Sequence, residues 1–144
     1  MSWIPHALLT AAAVAALACT DPGAPAPPAL DVHPDTLDLA TGETATIEAV
    51  TSSPDASLML RFVCYLEDGG RVAGDGRAPD GCAVTGGPAG SSGPVFQFTL
   101  TAVAPGRASV LVRWLGEGRC RDGPECQMRE TVLVASETVY VTVR

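Results

Sequence analysis

TGETATIEAV, residues 41–50, decides the fold. Ala45, Ile47 and Ala49 alternate with Thr44, Thr46 and Glu48. A strand turns successive side chains to opposite faces, so this period of two describes a strand with one buried face. The same alternation recurs downstream. In Ser57 to Leu66, the residues Leu58, Leu60, Phe62, Cys64 and Leu66 share one face, and Met59, Arg61, Val63 and Tyr65 the other. In Val95 to Val103, Phe96, Phe98 and Leu100 oppose Gln97, Thr99 and Thr101. In Arg107 to Leu115, Ala108, Val110, Val112 and Trp114 oppose Ser109, Leu111 and Arg113. The stretch from Gln127 to Val143 completes the set, with Val139, Val141 and Val143 inward and Ser136 as a candidate break. These registers predict an all-β domain whose large apolar side chains meet in one interior.

Working back from Thr41, two short apolar-alternating pieces flank Pro34, where a missing N–H is harmless on an edge. Leu30, Val32, Pro34, Leu37, Leu39, Gly42, Glu43 and Thr44 fall in an order that resembles the opening of bacterial immunoglobulin-like (Big-type) domains. The phrase APGRASVLV, residues 104–112, resembles the Pro-Gly turn and following strand of the same family. The resemblance implies an immunoglobulin-like β-sandwich of about seven strands over residues 30–144. That size suits the immunoglobulin fold, which takes about 100 residues.

Two segments interrupt the alternation. Residues 67–94 are rich in glycine and proline, with Asp-Gly at Asp68, Asp75 and Asp80. They read as a long loop, with Arg71–Ala73 and Cys82–Thr85 as short strand pieces inside it. Glu67, Asp68, Asp75 and Asp80 would suit a Ca²⁺ site, but Asp-Gly is also ordinary turn chemistry and EF-hand spacing is absent. Residues 116–126, GEGRCRDGPEC, read as a polar hairpin tip. Loops at sandwich ends are common contact surfaces, so both segments are candidate binding loops.

The N-terminal side has a different character. Residues 7–18 are apolar except for Thr10. Twelve residues fit a signal-peptide core and fall short of the roughly 20 needed to cross a bilayer as a helix. Leu17 and Ala18 then lead into Cys19, with Ala16 before them. This resembles the lipobox of bacterial lipoproteins. The resemblance implies a signal peptide over residues 1–18 and a diacylglyceryl group on the Cys19 thiol. The alternative is an ordinary secretory signal. Residues 20–29 hold four prolines and form, with Cys19, a tether. An extended run of that kind spans about 3 Å per residue.

Five cysteines are an odd number for an exported chain. Lipidation of Cys19 would leave Cys64, Cys82, Cys120 and Cys126, which pair fully in an oxidising compartment. Three connectivities are open. Cys64–Cys82 with Cys120–Cys126 closes two short loops and is the expected one; a long-range pair from Cys64 to Cys120 or Cys126 is the alternative. The same thiols make a poor zinc site, since no CxxC occurs and His33 is the only histidine beyond the leader.

The nine basic residues are all arginine, and the net charge of −7 lies entirely beyond residue 18. An acidic chain is a poor match for nucleic acid and for anionic headgroups. Membrane attachment would therefore come from lipid at Cys19. No nucleotide fingerprint, catalytic triad, metal set or cofactor motif is assigned. The expected role is a non-enzymatic binding or structural module of the bacterial cell envelope, whose partner is an envelope protein or glycan. The contrasting expectation is a secreted or periplasmic hydrolase using loop carboxylates.

The anchor is directly testable. Cys19→Ser should release the chain from the membrane fraction or block leader cleavage. Equal incorporation of labelled fatty acid into the Ser variant and the parent chain would refute the lipid site.

Overall fold

The computed structural model describes residues 23, 26–117 and 131–144. Nine strands carry the described part: β1 Leu30–His33, β2 Thr36–Leu39, β3 Thr44–Thr51, β4 Ser57–Tyr65, β5 Arg71–Asp75, β6 Val84–Ser92, β7 Val95–Ala102, β8 Gly106–Glu117 and β9 Thr131–Val143. They form a four-stranded sheet in the order β1-β3-β7-β6 and a five-stranded sheet in the order β2-β9-β8-β4-β5. In immunoglobulin lettering these are A-B-E-D and A′-G-F-C-C′, so the fold is an immunoglobulin-like β-sandwich. The first strand is split at Pro34. β1 runs antiparallel to β3 in one sheet, and β2 runs parallel to β9 in the other.

The inward faces are those set by the alternation. Phe62, Ile47, Leu100, Val84, Val110, Val112, Val139, Val141 and Cys64 are fully buried, and Trp114 is 9% exposed. Most are β-branched or aromatic, side chains that pack well on a pleated surface. The turn into β3 explains its Thr-Gly-Glu. The Glu43 N–H donates to the Ala40 carbonyl at 2.9 Å, and Gly42 takes φ +89° at the third turn position. A type II turn requires that left-handed conformation, which glycine adopts without strain. The Glu43 carboxylate then accepts from the Ala40 N–H at 2.8 Å.

Residues 67–94 differ from expectation. Half of this segment is two edge strands rather than one long loop. β5 continues the short Arg71–Ala73 piece to Asp75 and pairs with Arg61–Tyr65 of β4. β6 runs nine residues beside β7 with a bulge between Pro88 and Gly90. One of its glycines, Gly86, is part of the reason it pairs. A Cβ at Gly86 would strike the Thr99 carbonyl and the Leu100 side chain, so the close approach of β6 to β7 admits only glycine there. Pro88 is tolerated because β6 is an edge. With these two strands and the split first strand, the count rises from about seven to nine.

β9 is a single strand from Thr131 to Val143. The irregularity lies between Ala135 and Leu133, which pair with Trp114 and Leu115, so the extra residue is Val134 and not Ser136. Cys64 and Cys82 are disulfide-bonded with Cα atoms 5.1 Å apart, and both are buried. The bond ties the mid-sheet strand β4 to the start of β6, across the sandwich. The expected Cys120–Cys126 pair, the Cys19 lipid site and residues 1–18 lie outside the described residues.

Two stability measurements check this packing. Phe62→Ala should cost about 3–5 kcal/mol in urea denaturation, the range for removing a large buried aromatic, whereas Thr46→Ala on an exposed face should stay within about 0.5 kcal/mol. Non-reducing peptide maps should link Cys64 to Cys82. Replacing both with Ala should cost about 3 kcal/mol, as expected for a closed loop of this length.

Candidate functional site on the outer face of the five-stranded sheet

The outward phase of β4, β8 and β9 builds one continuous surface. Cross-strand register sets its rows. Arg71, Tyr65, Arg107, Thr142 and Asp38 form one row across β5, β4, β8, β9 and β2. Ala73, Val63, Ser109, Tyr140 and Thr36 form the next. Asp75, Arg61, Leu111 and Thr138 form the third. Met59, Arg113 and Ser136 form the fourth.

The chain has two tyrosines, and both fall on this face. Tyr65 is 43% and Tyr140 60% exposed. They sit two strands and one row apart, which places their Cα atoms about 12 Å from one another. Between them stands Ser109, on the middle strand. Tyr65, Arg107, Ser109, Tyr140 and Thr142 line a hollow of about 390 Å³. A wider recess continues past Tyr65 and Arg107 to Glu67, Asp68, Gly81 and the 104–106 turn. The Arg107 guanidinium lies over the Tyr65 ring, 5.9 Å from its centroid. That is a cation–π contact, worth about 0.5–1 kcal/mol at an exposed site.

The charges on this face are sorted. Asp75 accepts from Arg61 at 2.9 and 3.1 Å and from Arg113 at 3.3 Å. Arg144 holds Asp38 through two bonds of 2.9 and 2.8 Å. Arg71 and Arg107 have no ion-pair partner among the described residues. The outer face of the four-stranded sheet is plainer: Thr44, Thr46, Glu48, Gln97, Thr99 and Thr101, with Thr44 and Thr101 hydroxyls 3.4 Å apart.

The residues singled out from sequence are dispersed. Of the four acidic residues weighed for Ca²⁺, Asp75 is engaged by two arginines, and Asp68 accepts from the Gly70 N–H at 2.8 Å to shape its turn. Among the described residues no group of three or more His, Cys, Asp or Glu is placed to hold a metal ion. His33 pairs with Asp31 at 3.0 Å on an exposed edge. Of the two candidate binding loops, the first is half edge strand. Most of 116–126 lies outside the described residues. The tyrosine face was missed as a site although its signal was present. Alternation alone turns both tyrosines outward, while it buries Phe62 and Phe98 and leaves Phe96 half-buried.

No protein-family model matches the chain, and no curated protein matches it. A chain from a solved structure described as the structural basis of T cell specificity and activation by the bacterial superantigen toxic shock syndrome toxin-1 superposes over 81% of this chain and 99% of its own length. The TM-score is 0.47 and the identity 11%.

Proposed function

We propose that the chain is an exported, lipid-anchored immunoglobulin-like module that binds a partner at the bacterial cell envelope through the outer face of its five-stranded sheet. One observation carries the binding face: both tyrosines stand exposed around an arginine that no carboxylate neutralises. Tyrosine and arginine combine large contact area with directional donors, and they dominate the energetically important positions of interfaces. The export half rests on the lipobox resemblance at Cys19 and the proline-rich run after it.

The layout supports the same reading. β1 begins at Leu30, opposite Thr51 at one end of the sandwich. Tyr65, Arg107 and Thr142 lie toward the other end, where β4 finishes and β8 starts. A domain held by its N-terminal side would carry the tyrosine patch away from the anchor. No catalytic residue is assigned in this reading.

The test is a pull-down from envelope extracts with the full-length chain immobilised. The parent chain and Glu48→Ala, altered on the opposite sheet, should retain the same partner. Tyr65→Ala combined with Tyr140→Ala should lose it, while leaving thermal unfolding close to that of the parent, since exposed side chains contribute little to stability. Retention of the partner by the double variant would overturn the assignment of the face.

A further inference from the structure

The hollow on this face carries more than a generic contact surface. Ser109 forms its floor. The residue is only 7% exposed, yet its hydroxyl has no hydrogen-bond partner among the described residues. No fully buried side-chain oxygen or nitrogen is left without a partner among them, so the Ser109 hydroxyl reaches the surface through the hollow. It is a donor and acceptor held in a recess and left for a ligand or water.

The walls differ in chemistry. Tyr65 and Tyr140 flank the hollow on either side, and aromatic faces bind flat, weakly polar C–H surfaces. Arg107 stands on the rim, held over Tyr65, with N–H groups that suit a carboxylate. Two carboxylates, Glu67 and Asp68, line the recess beyond it, and neither is ion-paired with it. Around Tyr140, register places Thr36 and Ser109 in the same row and Thr138 and Thr142 in the rows beside it. Hydroxyls therefore surround the aromatic.

We infer that this hollow binds a carboxylate-bearing pyranose unit of an acidic polysaccharide. This inference rests on the binding-face reading above and names its ligand. A sugar ring offers C–H faces to aromatics and hydroxyls at its edge, and a uronate adds one carboxylate. Those three features match the tyrosines, the Ser/Thr hydroxyls and Arg107. An acidic peptide would use Arg107 and leave the hydroxyl ring and the paired aromatics unexplained. A neutral sugar would leave Arg107 unanswered. The volume falls in the range of small-ligand pockets, about 300–1,000 Å³.

The experiment is calorimetric titration of the full-length chain with tetragalacturonate, its fully methyl-esterified form and tetraglutamate. Tetragalacturonate should bind at least about tenfold more tightly than either of the others, as expected for a hydrogen-bonded charge that only it combines with a sugar ring. Arg107→Gln and Tyr140→Ala should each weaken it by about tenfold or more, with circular dichroism unchanged, and Glu48→Ala should leave it unaltered. Equal binding of the ester would remove the carboxylate from the proposal. Equal binding of tetraglutamate would reduce the site to general anion attraction and overturn the sugar. Absence of binding to all three, with the envelope partner still lost in the tyrosine double variant, would overturn the ligand class and leave the binding face standing. Binding that survives Arg107→Gln at parent strength would overturn the site itself.

Discussion

The register of β8 is the constraint on which the rest depends. This strand pairs with β4 on one side and β9 on the other, over almost its whole length. Its inward residues, Ala108, Val110, Val112 and Trp114, fill the middle of the core. Its outward residues, Arg107, Ser109, Leu111 and Arg113, form the centre of the candidate site. One residue of slip would exchange the two sets. It would bring Arg113 and Arg107 into an interior with no partner for them, at a cost of several kcal/mol for each charge. Core and site are thus two faces of one decision, and the apolar burial that stabilises the fold also holds the hollow open.

Alternation made the core legible, because burial of one face imposes a period of two wherever a strand lies against the opposite sheet. Phe62, Phe98, Leu100, Val110 and Val139 all sit where their periodicity put them. β6 was not legible for a physical reason. It buries Val84 at its start and then runs along an edge, where no side chain need be apolar and where Gly86 must have none. A strand that owes its place to backbone pairing and close approach carries turn-like composition. The bulge at Val134 was illegible for a related reason: a bulge shifts phase without changing composition, and Ser136 drew notice only by being polar. The Cys64–Cys82 pair was legible from loop length. The tyrosine face needed register across three strands, which no single segment contains.

Charge pairing then decides which part of the outer face is available. Exposed ion pairs contribute about 0–1 kcal/mol each, so the Arg61–Asp75–Arg113 cluster adds little to stability. Its effect is selective. Asp75 occupies two arginines at the third and fourth rows, and Asp38 occupies Arg144 at the margin. Arg71 and Arg107, on either side of Tyr65, are the positive charges left in the first row. In a chain of net charge −7, two free arginines beside an aromatic are a local exception to the overall field. The contact of Arg107 with the Tyr65 ring adds to this, since a cation–π contact uses none of the guanidinium's hydrogen bonds.

The two ends of the sandwich also acquire different roles from connectivity alone. At one end lie the start of β1, the end of β3 and the strand ends at Glu117 and Thr131. At the other lie the Gly42 turn, the end of β9 and the ends of β4 and β8 that carry Tyr65 and Arg107. From Arg107 to Glu117 is ten residues of strand, about 33 Å. In the proposed anchored form, a tether of about 30 Å would join the first end, so the candidate loop between β8 and β9 would begin and finish on the anchored side. The hollow would stand at the far side, beyond the length of one strand. An immunoglobulin-like domain has contact loops at both ends and two sheet faces, and connectivity alone does not rank them. Here the position of the first strand, the pairing of the arginines and the outward phase of the tyrosines favour the same corner of the same sheet.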